Sequence, residues 1–361
     1  MIEDHLIPVL IDDSVTCLRF FPSREINYLA SGGWDSKLRV FEIKYQIINQ
    51  SATFDNVKFA SNQINSSKLE SPILSLDWIG NSGAIITGCV NGSINYVDTQ
   101  KNIINKIGQH NSGCRDVIYL QNYNVLLTGG WDGILNIWDL RSQNPICSYQ
   151  FQNKIYTMSC ANNLLVLGLS DLVMAYFNLR NFQLNSFKPD CFFNSHLKEQ
   201  TKKVAVFNDG QGFFQVSIEG RCAVKFINLN SHPNINPETK CITSDKDFAF
   251  RCHREVRNGL CYIYSVNDAS INPVYDSVCT VGGDGKYVIW DIKDKSKINE
   301  RDNFTDNCPL TACTYNPNGN VLAYASGYDW SKGASFANEY SRPKIFIHYL
   351  QNSHRKKDKT F

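Results

Sequence analysis

The sequence predicts an all-β, seven-bladed β-propeller, and three observations carry that prediction. A phrase of small residues, a polar turn and a short alternating strand recurs along the chain, with turn positions at Asp35, Asn91, Asp132, Asp171, Glu219, Asp284 and Asp329. The steps between these positions are 56, 41, 39, 48, 65 and 45 residues, scattered about the period of roughly 40–45 expected of a four-stranded blade. The connections inside each unit are too short for crossover helices, so the strands must run antiparallel.

Taken in order, the units read as follows. Ala30-Ser31-Gly32-Gly33-Trp34-Asp35 leads into Leu38-Arg39-Val40-Phe41, and Thr128-Gly129-Gly130-Trp131-Asp132-Gly133 leads into Leu135-Asn136-Ile137-Trp138-Asp139. The third unit shows all four strands, over 115–120, 124–128, 134–138 and 145–149, because β-branched and aromatic residues alternate there with polar ones. It also carries His110, Thr128, Asp132 and Trp138, the polar set typical of a WD repeat. Side chains of these types can satisfy one another across a blade, which a buried polar cluster must do, so His110 and Asp132 read as structural rather than catalytic. The first strand, near 13–20, lacks a full preceding unit, and the last run, 343–350, is placed to pair with the N-terminal segment and close the ring. Residues 44–70 are polar and unpatterned and predict a solvated inter-blade loop, and 229–246 predict an insertion. One propeller over 1–350 is followed by a flexible basic tail, 351–361, for which solubility, nuclear import and RNA contact are the open readings.

Composition narrows the function. The 361 residues hold 36 basic and 34 acidic side chains, a net charge of +2, so no overall polyelectrolyte character marks a nucleic-acid binder and any basic surface must be local. Acids at Glu3 and Asp4 stand where a signal peptide needs a basic region, and no apolar run is long enough for a membrane span; a soluble intracellular protein with no membrane insertion is expected. Thirteen scattered cysteines without a CxxC suggest buried thiols in a reducing compartment. Cys252-His253 is the nearest approach to a metal motif and lacks a second ligand pair, so neither metal nor cofactor is expected. No G-x-S-x-G elbow, P-loop or HExxH occurs, and Gly282-Gly283-Asp284-Gly285 reads as a hairpin turn; no catalytic residue is assigned and the expectation is a non-enzymatic protein.

Three segments exceed what blade closure needs: Ser217-Ile218-Glu219-Gly220-Arg221 with Phe248-Ala249-Phe250-Arg251-Cys252-His253-Arg254, then Trp290 to Lys297, then Tyr328-Asp329-Trp330-Ser331-Lys332-Gly333. On these motifs, with Ile263-Tyr264-Ser265-Val266-Asn267, the chain resembles the messenger-RNA export factor family of WD-repeat propellers, of the Rae/Gle-two type. The resemblance covers nearly the whole chain. The sister branch, the mitotic-checkpoint Bub-three type, shares the first of these motifs, whereas the segment 328–333 and the phrase 138–145 favour the export branch.

The resemblance implies binding of a Gle-two-binding segment of an FG nucleoporin, with Arg221 and Lys297 anchoring peptide glutamates, in the nucleus, at the nuclear pore rim and in the cytoplasm. An Arg fork on a carboxylate is bidentate and directional. The alternative for Arg221 is an ion pair with Glu219 or a neighbouring Asp, and Lys293 or Lys295 could substitute for Lys297. A second expectation is contact with single-stranded RNA or mRNP through Phe250, Arg251, Arg254, Trp290, Lys293 and Lys295, which combine aromatic faces with positive charge. Trp290 also fits a blade core. The runner-up partner is a checkpoint kinase or kinetochore scaffold, and Trp138-Asp139-Leu140-Arg141 leaves a cullin-type ubiquitin ligase receptor as a third reading.

Overall fold

The computed structural model describes residues 4–47, 57–142, 144–182, 187–230, 242–302, 308–339 and 342–350. Seven four-stranded antiparallel sheets form the blades of a propeller. Blade 1 comprises Val15–Phe20, Tyr28–Gly33, Lys37–Ile47 and Val57–Lys68. Blade 3 comprises Cys114–Leu120, Val125–Gly130, Ile134–Trp138 and Cys147–Gln150. Blade 5 comprises Thr201–Val206, Gly212–Ser217, Arg221–Phe226 and Phe248–Arg251, and blade 6 Val266–Ile271, Ser277–Gly282, Lys286–Asp291 and Ser296–Asp302. Blades 2 and 4 repeat this order between them. Each of the seven polar turn positions read from the sequence falls between the second and third strands of a blade.

Blade 7 closes the ring: its strands Leu310–Tyr315, Val321–Ser326 and Lys344–Tyr349 are completed by His5–Leu6, with His5 opposite Ile347 and Leu6 opposite Phe346. The seam is reinforced by the buried Asp4 carboxylate, which ion-pairs with Arg301 at 2.6 Å, lies 2.9 Å from His348 Nδ1 and accepts the Tyr324 hydroxyl at 2.6 Å. Such closure covers part of the outer edge of Lys344–Tyr349 and ties the N-terminal segment to the last blade.

The first strand of each blade faces a central channel, and its polar side chains stitch neighbouring blades together. Asp77 accepts the Tyr119 N–H at 2.9 Å, Asp116 that of Met158 at 2.8 Å, Thr157 that of Val204 at 3.2 Å and Asp268 that of Cys313 at 3.0 Å. The donors lie 42, 42, 47 and 45 residues downstream, one blade each time. These three carboxylates and one hydroxyl therefore satisfy backbone groups that would otherwise be left unpaired in the channel wall, a loss of about 1–3 kcal/mol each. Apolar clusters fill the spaces between successive sheets, as where Ile137 and Leu135 of blade 3 meet Leu165 and Leu167 of the next blade. Buried and half-buried thiols join these clusters, and desolvation pushes half-buried Cys17 up to about 11 and Cys160 up to about 12, beyond ready ionisation.

The loop expected over 44–70 is corrected. Lys37–Ile47 and Val57–Lys68 pair along their whole length, from Lys37 opposite Lys68 to Ile47 opposite Val57, while 48–56 lie outside the described residues. The asparagines, glutamine and serines of 61–67 misled because an outermost strand is held by backbone hydrogen bonds and needs few buried side chains. Val57 and Phe59 still pack with Tyr45 on the blade 7 core. Most of the insertion expected over 229–246 and all of the tail 351–361 also lie outside the described residues. Between blades 5 and 6 the chain adds a two-stranded hairpin, Arg254–Arg257 with Leu260–Ile263. Its two-residue turn has φ of 51° at Asn258 and 76° at Gly259, the left-handed geometry that favours these residue types.

Candidate functional site

In blade 3, His110 Nδ1 lies 3.0 Å from Asp132 Oδ2 and its Nε2 2.8 Å from Thr128 Oγ1, while Trp138 Nε1 donates to the same hydroxyl at 2.8 Å. The sheet register places Thr128 on the second strand and Trp138 on the third, and the turn between those strands carries Asp132. Burial pushes the Asp132 carboxyl up, but the His110 hydrogen bond and charge and the N–H groups of Ile134 and Asn111 outweigh it and hold the pKa below its ordinary value.

Blade 6 repeats this arrangement with residues assigned other roles from sequence. His253 Nδ1 is 2.8 Å from Asp284 Oδ1, its Nε2 2.9 Å from Thr280 Oγ1, and Trp290 Nε1 donates to that hydroxyl at 2.9 Å. His253 is therefore occupied within the blade, and among the described residues no group of three or more His, Cys, Asp or Glu converges as a metal site. Trp290, grouped above with an RNA surface, spends its N–H on the blade. Its ring is half-buried and packs 4.7 Å from Phe250.

The seam between blades 5 and 6 gathers most of the remaining candidates. Arg221 faces Arg251 across blade 5, Cys222 faces Phe250, Phe250 meets Trp290, and Trp290 faces Lys297 across blade 6. Phe248 stacks 6.1 Å from Phe250 and receives the Lys295 ammonium 4.6 Å above its ring. Arg254 turns inward instead, donating to the Glu219 carbonyl at 2.9 Å and the Gly220 carbonyl at 3.2 Å, so it braces the turn that presents Arg221. Lys297 is ion-paired with Glu300, and Lys293 lies 3.2 Å from Asp276 on an exposed face.

Arg221 differs from these. Its Nε is buried and makes no hydrogen bond, while the ion pair with Glu219 that the sequence left as the alternative is present but loose, with Oε2 3.9 Å away and beyond hydrogen-bond reach. A buried guanidinium N–H without a hydrogen-bond acceptor is costly unless a ligand supplies one. By contrast, Arg141 of the W-D-x-R phrase folds onto its own Asp139 with bonds of 2.9 and 2.6 Å and leaves no free fork.

A feature the sequence reading missed is the aromatic mouth of the channel. Trp34, Trp131, Tyr328 and Trp330 surround a cavity of about 210 Å³ together with Arg115 and Lys202. Trp131 Nε1 is buried there without a partner, and Trp330 holds a left-handed φ of 60°, strained for a bulky side chain. Burial, then the Arg115 charge, lower the Lys202 pKa. The signal lies in the tryptophans of two repeat turns and of the 328–333 motif, which belong to three separate blades.

The fold and its repeated His-Asp-Thr-Trp cluster define a WD-repeat propeller, and the WD domain, G-beta repeat family matches residues 5–42 and 101–139. The chain is 30% identical over 343 residues to the Poly(A)+ RNA export protein of Schizosaccharomyces pombe, covering 93% of this chain and 88% of that protein. It is 31% identical over 348 residues to the mRNA export factor of Danio rerio, covering 93% and 86%. The mitotic checkpoint protein bub3 of Dictyostelium discoideum is 28% identical over 342 residues, covering 94% and 92%. The chain belongs to the messenger-RNA export factor family of WD-repeat propellers, with the checkpoint propellers as its sister branch.

Proposed function

We propose that this protein is a non-enzymatic adaptor in messenger-RNA export that docks a Gle-two-binding segment of an FG nucleoporin, at the nuclear pore and in transit between nucleus and cytoplasm. The observation that carries the reading is the orphaned Nε of Arg221, on a turn braced by Arg254. A peptide glutamate engaging Nε and one Nη side by side would complete that donor, and desolvated contacts of this kind contribute on the order of 2 kcal/mol or more to binding. Lys297 reaches a second glutamate only by exchanging Glu300 for it, so its contribution is the smaller. The channel mouth supplies aromatic walls for apolar side chains of the same segment.

Single-stranded RNA is the second ligand. Phe248, Phe250 and the half-buried face of Trp290 form an aromatic row capped by Lys295, with Arg251 exposed beside it, and stacking plus phosphate neutralisation needs both residue types together. Arg254 is withdrawn from this row by its carbonyl contacts.

Capture from extract by the wild type and by Arg221→Glu tests the main reading, with partners identified by mass spectrometry and co-purifying RNA quantified. An FG nucleoporin retained by the wild type and lost with the variant is the expected outcome; equal retention would sink the anchor. A checkpoint kinase or kinetochore scaffold, without RNA, would move the chain to the function its bub3 relative's name describes.

A further inference from the structure

Two thiols meet inside blade 5. Cys222 stands on the third strand, Arg221–Phe226, and Cys252 just past the end of the fourth, Phe248–Arg251. Their Sγ atoms are 3.2 Å apart, within the apolar cluster that blades 5 and 6 share. The Cys252 N–H donates to the Gly220 carbonyl at 3.1 Å, and next to it the His253 ring is held by Asp284 and Thr280 of blade 6. Packing does not call for sulfur here. Blade 1 fills the two equivalent positions with Leu38 and Leu69 and blade 3 with Leu135 and Phe151, where Leu69 and Phe151 likewise donate their N–H to the residue after the turn position.

The two thiols are chemically unequal. The Cys222 hydrogen bond, helped by the His253 and Arg254 charges, outweighs burial and holds the Cys252 pKa below its ordinary value, while burial pushes Cys222 up. Cys252 also keeps 6% of its surface open, whereas Cys222 is wholly enclosed. Cys252 is therefore the attacking sulfur and Cys222 the resolving one. By contrast, burial and then the Cys279 thiol drive Cys313 well up, which makes it a poor nucleophile.

We propose that Cys222 and Cys252 form a peroxide-sensitive redox site, which closes to an internal disulfide and clamps the joint between blades 5 and 6. The Cys252 thiolate attacks one peroxide oxygen, the O–O bond breaks, and the departing hydroxide leaves as water with the proton the thiol released. The Cys222 sulfur then gives up its proton and attacks the sulfenic sulfur of Cys252, the S–O bond breaks, and a second water departs. The two thiols lose two electrons and two protons, and the peroxide takes up both. To bond, the sulfurs close from 3.2 Å to the roughly 2.05 Å of a disulfide. Thiol exchange with a reductant reopens the pair. None of this depends on what Arg221 binds.

The test treats the full chain with rising hydrogen peroxide, denatures it in an alkylating agent and maps every cysteine by mass spectrometry. The expected product is a peptide cross-linked through Cys222 and Cys252, formed at peroxide levels that leave the other thiols open to alkylation and lost on treatment with dithiothreitol. Cys222→Ser should instead accumulate a sulfenic acid at Cys252 that dimedone labels, and Cys252→Ser should leave Cys222 unlabelled. Cys261, the one exposed thiol among the described residues, is the control, and Cys261→Ser should cross-link as the wild type does. Amide exchange over 219–222 and 252–254 should slow severalfold in the oxidised chain and recover on reduction. Oxidation of the pair only together with the bulk of the thiols overturns the proposal, as does a disulfide that engages Cys261 or joins Cys279 to Cys313. Unchanged amide exchange removes the clamp. The mapping and exchange use wild-type protein, so they decide the matter even where a serine variant fails to fold.

Discussion

Blades 3 and 6 hold the same four side chains in nearly the same geometry, yet only one of them remains entirely inside the fold. In blade 3 the indole of Trp138 is 4% exposed and packs so tightly on Gly108 that a Cβ there would stand 2.5 Å from the ring. In blade 6 Trp290 is half-buried, with Phe250 against it and open surface beyond. His and Asp are 22 positions apart in blade 3 and 31 apart in blade 6, and the hairpin 254–263 occupies the added length. A motif that serves stability alone in one blade thus becomes, in the other, a rigid base for an exposed surface.

The comparison can be broken at its hubs. Thr128→Val or Thr280→Val removes the hydroxyl shared by His and Trp and strands two buried donors or acceptors, so each variant should lose roughly 2–5 kcal/mol in denaturant unfolding. The blade 3 variant should lose more, because water can reach Trp290 but not Trp138; equal losses would mean that exposure of the indole does not matter. A smaller effect is expected from Trp290→Phe, which keeps an aromatic face and gives up one hydrogen bond of about 1 kcal/mol. Poly(U) binding measured by fluorescence anisotropy should largely survive this change but fall with Trp290→Ala, and identical behaviour of the two would take the ring out of the RNA surface.

Titration separates the blades further. Burial lowers the His253 pKa, but the hydrogen bond and charge of Asp284 overcome this and leave it raised. A raised histidine contributes stability that is complete below its unfolded value, about 6.5, and fades as pH climbs through the folded value. The lowered Asp132 contributes above its unfolded value, about 3.9, and loses that contribution as pH falls through the folded one. Unfolding midpoints of His253→Gln should therefore converge on the wild type toward alkaline pH, and those of Asp132→Asn toward strongly acid pH. Convergence in the opposite windows would contradict both assignments. The smallest effect is Lys295→Met, which removes a cation over Phe248 worth about 0.5–1 kcal/mol at an exposed site; RNA binding should become less salt-dependent while stability changes little.

These contrasts also mark what the sequence could reveal. The seven turns were legible because Asp, Asn or Glu between strand-like runs, followed by Gly or Ser in five of the seven, has few uses other than a hairpin. The blade 3 cluster was legible because its spacing is undisturbed. Its twin in blade 6 is masked because the inserted hairpin stretches the His–Asp spacing and leaves His253 beside Cys252, a pair of metal-ligand types. The long blade 1 hairpin escaped because side-chain pattern reports burial, and an outermost strand is scarcely buried. The channel mouth was hidden for another reason: Trp34, Trp131 and Trp330 sit in blades 1, 3 and 7, and only closure of the ring brings them to one cavity.

That closure also constrains how the protein can be made. Asp4 and His348 meet across 344 positions, so at about 5–20 residues per second a ribosome needs roughly 17–70 s between making one side of the blade 7 seam and making the other. Until then the nascent chain carries an unfinished blade with an exposed edge strand, and the channel mouth, which shares blade 7, does not exist. The cavity at that mouth therefore requires the closed ring, and a truncated or stalled product would present sticky strands rather than a distorted mouth.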